Sequence, residues 1–168
     1  MITYRSLAAW LPLSVPALNR NIVKRALCDI GICEIPPGSN RSGRIDFYNQ
    51  QTHAPLGSFW CASAVTAWYR EAGADVPPKA QASCDVWMEW AKKEGLWHKE
   101  PTYGAAVVYG KPGDANHIGV VVRLTPLLLS VEGNTSIGGE FSRNGVAVDL
   151  KEVSRSRVLG YIHPRVAK

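Results

Sequence analysis

The residues best suited to chemistry in this chain are a cysteine, a histidine and a carboxylate lying far apart in sequence. Cys61 stands in Gly57-Ser58-Phe59-Trp60-Cys61-Ala62-Ser63-Ala64-Val65, where a turn delivers it to the start of an apolar-faced helix. Ala64, Val65, Trp68 and Ala72 recur at helical spacing, and Gly73 supplies a stop. Ser58 is the expected N-cap, which puts Cys61 among first-turn N–H groups at the positive end of the helix dipole. That setting favours thiolate over thiol and so makes a nucleophile. A free cysteine on its own is more often a small buried apolar residue, so the nucleophile reading requires a base elsewhere.

His117 opens His117-Ile118-Gly119-Val120-Val121-Val122, which reads as a strand with an imidazole at its mouth. Alternation puts His117, Gly119 and Val121 on one face, and Gly119 leaves room there for a close approach. The next strand ends in Val131-Glu132-Gly133-Asn134-Thr135-Ser136. Glu132 and Asn134 are two apart and project to one side if the strand persists. An acceptor there can take the proton on one ring nitrogen of His117 and leave the other to act as base. Each residue also has a plain structural reading: a core thiol, a hydrogen-bonded histidine, a hairpin end. His53 is the rival base, near Cys61 in sequence but in a loop with Pro55 and no orienting neighbour. His98 and His163 have no acid or cysteine at ligand spacing, so no metal site is expected.

The elements that must position these groups follow from the apolar pattern. Asn19 or Asn21 caps a helix to about residue 30, with Ile22, Val23, Ala26, Leu27 and Ile30 as its stripe and Gly31 at its end. Residues 34–44 form a dense turn segment, long enough to line a cleft with Glu34, Asn40 and Arg44. A short helix over residues 45–51 leads to the cysteine helix. Ser83 caps a helix over residues 84–94, whose stripe is Val86, Trp87, Trp90 and Ala91; these tryptophans read as core rather than as a binding platform. From Thr102 onward the pattern changes to short β-branched runs at residues 105–109, 117–123, 127–131, 145–150 and 158–162. Helices first and strands second predict an α+β fold, an antiparallel sheet with helices packed on one side.

A chain of 168 residues suits one domain. We expect a lead-in over residues 1–18 and a single domain over residues 19–168. The formal charge of +5 favours anionic partners. The basic residues are scattered and accompany no nucleic-acid signature, so no nucleic-acid partner is expected. Cys28, Cys33, Cys61 and Cys84 show no Cys-x-x-Cys spacing and read as reduced and mostly buried, which suits synthesis in a reducing cytoplasm. The apolar run from Leu7 to Val15 is interrupted by Pro12 and preceded only by Arg5. It is too short and broken for membrane insertion, and no signal peptide is assigned.

Four blocks in order then carry a resemblance. They are Phe59-Trp60-Cys61-Ala62-Ser63-Ala64-Val65, His117-Ile118-Gly119-Val120-Val121-Val122, Glu132-Gly133-Asn134-Thr135-Ser136 and Leu159-Gly160-Tyr161-Ile162-His163-Pro164. With the lead-in segment Glu34-Ile35-Pro36-Pro37-Gly38-Ser39-Asn40-Arg41, they resemble a CHAP domain, the cysteine, histidine-dependent amidohydrolase/peptidase family related to NlpC/P60 enzymes. The likeness runs from about Ile22 to Pro164. It implies a papain-like α+β fold and cleavage of an amide bond in peptidoglycan, as in phage and bacterial wall hydrolases. It implies Cys61 as nucleophile, His117 as general base and then acid, Glu132 as the group orienting His117, and Asn134 as a supporting polar residue. Trp60, Glu34, Asn40 and Arg44 are the expected substrate contacts. Some members carry an aspartate-rich calcium loop before the cysteine; only Asp46 stands there in this chain, so no cofactor is expected. No second wall-binding domain is recognised, and a monomer acting at the bacterial wall or periplasm is expected. The alternatives are a catalytically silent module of this fold that binds wall or partner, and a thiol amidase acting on an amide outside the wall.

Overall fold

The apolar stripes become four helices in the computed structural model, which describes residues 11–138 and 145–167. They are α1 (Ala17–Cys28), α2 (Gly43–Gln51), α3 (Cys61–Ala72) and α4 (Cys84–Lys93). Six strands follow: β1 (Trp97–His98), β2 (Ala106–Lys111), β3 (Asp114–Arg123), β4 (Leu129–Thr135), β5 (Ala147–Glu152) and β6 (Val158–Ile162). They form one antiparallel sheet in the order β1-β6-β2-β3-β4-β5. The fold is α+β. The helices pack on one face of the sheet, against Ile118, Val120 and Val122 of β3 and Val108 of β2. A smaller cluster, including Val107, Tyr109, Val121 and Tyr161, covers the other face. No helix among the described residues is long and apolar enough to cross a membrane.

Several element ends differ from the sequence reading, each for a local reason. Helix α1 starts after Pro16, whose ring fixes φ at a value suited to a helix entry. Asn19 is therefore inside the helix, and its amide donates to the Tyr103 carbonyl at 2.7 Å. Helix α3 starts at Cys61 itself, with Trp60 rather than Ser58 at the cap position and no side-chain cap. Ser58 closes the preceding turn, donating its N–H to Pro55. Strand β3 begins at Asp114 because the β2–β3 hairpin turns tightly at Pro112-Gly113, leaving Lys111 paired with Asp114. His117 is consequently inside the strand rather than at its mouth. Strand β1, only two residues long, has too little alternation to be read from sequence. In α4 the buried face is Cys84, Trp87, Met88 and Ala91, with Val86 and Trp90 half-buried.

The lead-in joins the body. Leu11 and Val15 are buried, and Arg20 donates to the carbonyls of Leu13 and Val15. The first four residues of the apolar run, 7–10, lie outside the described residues. The cysteines also divide differently from expectation: all four are free, but only Cys61 and Cys84 are buried, while Cys28 is exposed at the end of α1.

Helix α3 is the centre of the molecule. Every residue from Cys61 to Tyr69 is buried, although its apolar stripe alone predicts one buried face. It runs between α1, α2 and the sheet, so even Ser63 and Thr66 are enclosed; their hydroxyls bond Thr52 and the Ala62 carbonyl. Asp29, just past α1, ties the helices together. One carboxylate oxygen accepts from Trp68 Nε1 (2.7 Å), Tyr48 Oη (2.7 Å) and Arg44 (2.8 Å from Nη2). Removing it strands a buried indole N–H and a buried phenol and leaves Arg44 only Glu71. Asp29→Ala is expected to lower the unfolding free energy by about 3–4 kcal/mol, and Trp68→Phe, which removes one donor, by about 1 kcal/mol. Urea unfolding followed by circular dichroism checks both.

Candidate active site

Cys61 occupies the first position of α3, and the two strands behind that helix end supply its neighbours. His117 Nε2 lies 2.9 Å from Glu132 Oε2, with both side chains fully buried. The imidazole also interacts electrostatically with the Cys61 thiol, each group shifting the titration of the other. The three residues whose spacing suggested chemistry are therefore brought into one chain of contacts: thiol, imidazole, carboxylate.

Glycines make the approach possible. Gly119 pairs with Glu132 across β3 and β4. A Cβ on Gly119 would lie 2.6 Å from the Glu132 Cγ and 2.9 Å from the Val131 carbonyl oxygen. The space that Gly119 leaves is thus filled by the Glu132 side chain on its way to His117. A Cβ on Gly133 would meet the Trp60 ring at 2.8 Å and Ala64 at 3.0 Å, so Gly133 lets β4 press against the start of α3.

The carboxylate has its own support, which the sequence reading missed. Glu132 Oε1 accepts hydrogen bonds from Tyr109 Oη and Ser130 Oγ, each at 2.7 Å. Each hydroxyl has a single proton, so both protons go to that oxygen. With Oε2 on His117, the carboxylate is bonded on both sides. Burial opposes its charge, but these three partners hold its pKa below the usual range. Ser130 could have been found by alternation from Glu132. Tyr109 sits directly opposite His117 in the β2–β3 ladder, a pairing that only the register discloses.

Electrostatics favour the ion pair. Burial works against a charged imidazole, yet interactions with Cys61 and Glu132 raise the His117 pKa to about 10. The Cys61 pKa is pulled well below the ordinary thiol value. The Cys84 thiol, 3.8 Å away, contributes most; burial opposes it, and His117 and the Ala62 backbone N–H add to the pull. Both shifts favour the thiolate–imidazolium form of the pair.

Asn134 plays a different part from the one its spacing suggests. Its backbone is left-handed, φ 57°, and the β4–β5 register shifts there, so the alternation that would place it beside Glu132 ends. Its Oδ1 accepts from the Trp60 N–H (3.3 Å), and its Nδ2 donates to Gly145 O (2.7 Å) and Asn40 Oδ1 (3.2 Å). Asn134 fixes the residue before the nucleophile and ties the 34–44 loop to it.

The expected substrate contacts separate into two groups. Asn40, half-buried, reaches the site through Asn134. Trp60 is wholly enclosed: its indole stacks on Tyr48 and donates Nε1 to Glu34 Oε1 at 3.1 Å. Glu34 is buried beneath it, and its second oxygen has no hydrogen-bond partner among the described residues. Arg44 commits its guanidinium to Asp29 and Glu71 and lies over the Phe47 and Tyr48 rings. Trp60 and Arg44 are thus framework rather than contact surface, because both have partners in the helical layer. His53 is exposed in the turn after α2 and is no part of the constellation. His98 and His163 stack on one another at the β1–β6 edge, and His163 Nε2 donates to Glu100 O.

Comparison of the chain with family models, with curated proteins and with solved structures found no match. The ion pair can be tested without a substrate. In His117→Ala the apparent pKa for iodoacetamide labelling of Cys61 should rise, and in His117→Ala/Cys84→Ala, which removes the largest contribution as well, it should rise further, to about 8.5, the free-thiol value, or above. Site-resolved mass spectrometry separates Cys61 from exposed Cys28.

Proposed function

We propose that this chain is a thiol amidohydrolase of bacterial peptidoglycan, a CHAP-like enzyme with a papain-like, NlpC/P60-related arrangement of helices and sheet. One observation carries the reading: a cysteine at the start of a buried helix is electrostatically coupled to a histidine that a buried glutamate holds from behind. A purely structural thiol needs neither partner.

The chemistry follows from the protonation states. Cys61 Sγ, as thiolate, attacks the carbonyl carbon of a peptide or N-acylmuramoyl amide. The tetrahedral oxyanion is held by the Cys61 backbone N–H, which lies in the helix turn that has no intrahelical acceptor. The Trp60 N–H is already engaged by Asn134 Oδ1 and is not a candidate for this role. His117 passes its proton to the leaving nitrogen, the C–N bond breaks and a thioester remains. His117, now neutral, takes a proton from water; the hydroxide attacks the thioester and Cys61 leaves as thiolate. Glu132 stabilises the imidazolium at both stages. The formal charge of +5 suits an anionic wall polymer. The free thiols agree with synthesis in a reducing cytoplasm before action at the wall.

Solubilisation of isolated sacculi tests the reading. Wild type should release soluble fragments, and Cys61→Ala should release none above background; equal release by the two overturns it. Glu132→Gln should lower turnover by about a hundredfold and Asn134→Ala by about tenfold, because only the first removes a charge from the reacting chain. Activity should also fall at high pH as His117 loses its proton near pH 10. A carboxylate stabilises imidazolium and an amide does not, so Glu132→Gln should move that limb to lower pH. Mass spectrometry of the fragments from defined muropeptides identifies the bond.

A further inference from the structure

Two helices begin at the active site, and each begins with a cysteine. Cys61 is the first residue of α3 and Cys84 the first of α4, capped by Ser83, whose Oγ accepts the Val86 N–H. Their sulfurs lie 3.8 Å apart, and both residues are 7% exposed. In the hydrolytic steps above the Cys84 sulfur supports the Cys61 thiolate but forms no bond to the substrate. An S–S bond of about 2.05 Å requires the two to close by about 1.8 Å. The other two cysteines are differently placed: Cys28 is exposed, and the half-buried Cys33 bonds the Gly31 carbonyl.

We propose that Cys61 and Cys84 form a dithiol modification site for peroxides, in which Cys84 is the resolving thiol. The Cys61 thiolate attacks one oxygen of hydrogen peroxide, the O–O bond breaks, and hydroxide leaves to be protonated to water. Cys61 becomes a sulfenic acid: its sulfur is oxidised by two electrons and the peroxide is reduced. Cys84 then loses its proton and its sulfur attacks that of Cys61. The S–O bond breaks, hydroxide leaves and takes up a proton to give a second water, and a disulfide remains. The nucleophile is masked, a thiol reductant restores it, and the irreversible step to sulfinic acid is avoided. The polarised pair favours this order of events, since the thiol of Cys84 is held protonated by the neighbouring Cys61 thiolate and by burial.

The consequence for activity rests on the hydrolase reading; the disulfide itself does not. The reduced full chain is treated with a few equivalents of hydrogen peroxide, remaining thiols are alkylated under denaturing conditions, and trypsin separates the two cysteines after Arg70 and Lys79. The expected product is a peptide pair joined through Cys61 and Cys84, two hydrogens lighter than the free thiols and separated by dithiothreitol. In Cys84→Ser, Cys61 should instead carry two or three added oxygens that dithiothreitol leaves in place. Wild-type Cys61 found as sulfinic acid with Cys84 alkylated overturns the proposal, as does a linkage through Cys28 or Cys33 in its stead, or no change at Cys61. The wild-type map decides whether or not the variant folds. A reversible Cys61–Cys84 bond in a protein that leaves sacculi intact would sink the hydrolase reading and leave this one standing.

Discussion

Charges buried away from water are tolerable only when each faces its opposite, and that constraint shapes the centre of this molecule. Cys61, His117 and Glu132 are almost wholly enclosed. Each ion costs several kcal/mol to desolvate, and the interior returns this only through close pairing and full hydrogen bonding. The order thiolate, imidazolium, carboxylate supplies the pairing, and the hydroxyls of Tyr109 and Ser130 saturate the outer oxygen of Glu132. The cation sits between two anions, so the constellation stands as a unit: among the described residues neither anion has another cation within its hydrogen-bond set.

Close pairing in turn dictates backbone. Glu132 can reach His117 only across a strand position without a Cβ, which is Gly119, and β4 can approach α3 only at Gly133. Asn134 completes the clamp by leaving the strand conformation at the point where its side chain must reach the Trp60 amide instead of the sheet face. The glycines flanking the chemistry are thus filled by the protein's own side chains.

How much of this was legible in the sequence depends on the range of the signal. Cys61, His117 and Glu132 could be read because their types are rare together and local pattern placed each at a helix start or on a strand. The α+β architecture followed from the shift in periodicity near Thr102. Trp60 and Arg44 read as surface groups because their partners, Glu34, Asp29 and Glu71, are 15 to 27 residues away and meet them only after the helices pack. Asn134 was placed by alternation, and alternation fails wherever one residue turns left-handed. The convergence of Cys61 and Cys84 was half visible, since Ser83 marks a helix start as plainly as any cap. What one sequence cannot disclose is that two helix starts meet.

The depth of α3 has a consequence for motion. Its first nine residues are buried, so its amides have no route to solvent by fraying of an exposed face. Exchange with deuterium along this helix would follow opening of the whole domain rather than a local fluctuation. The sulfur at its head therefore inherits the rigidity of a helix enclosed along its first nine residues. A change that loosens the helical layer anywhere, including at Asp29 on the far side, reaches the reacting atom as a loss of order.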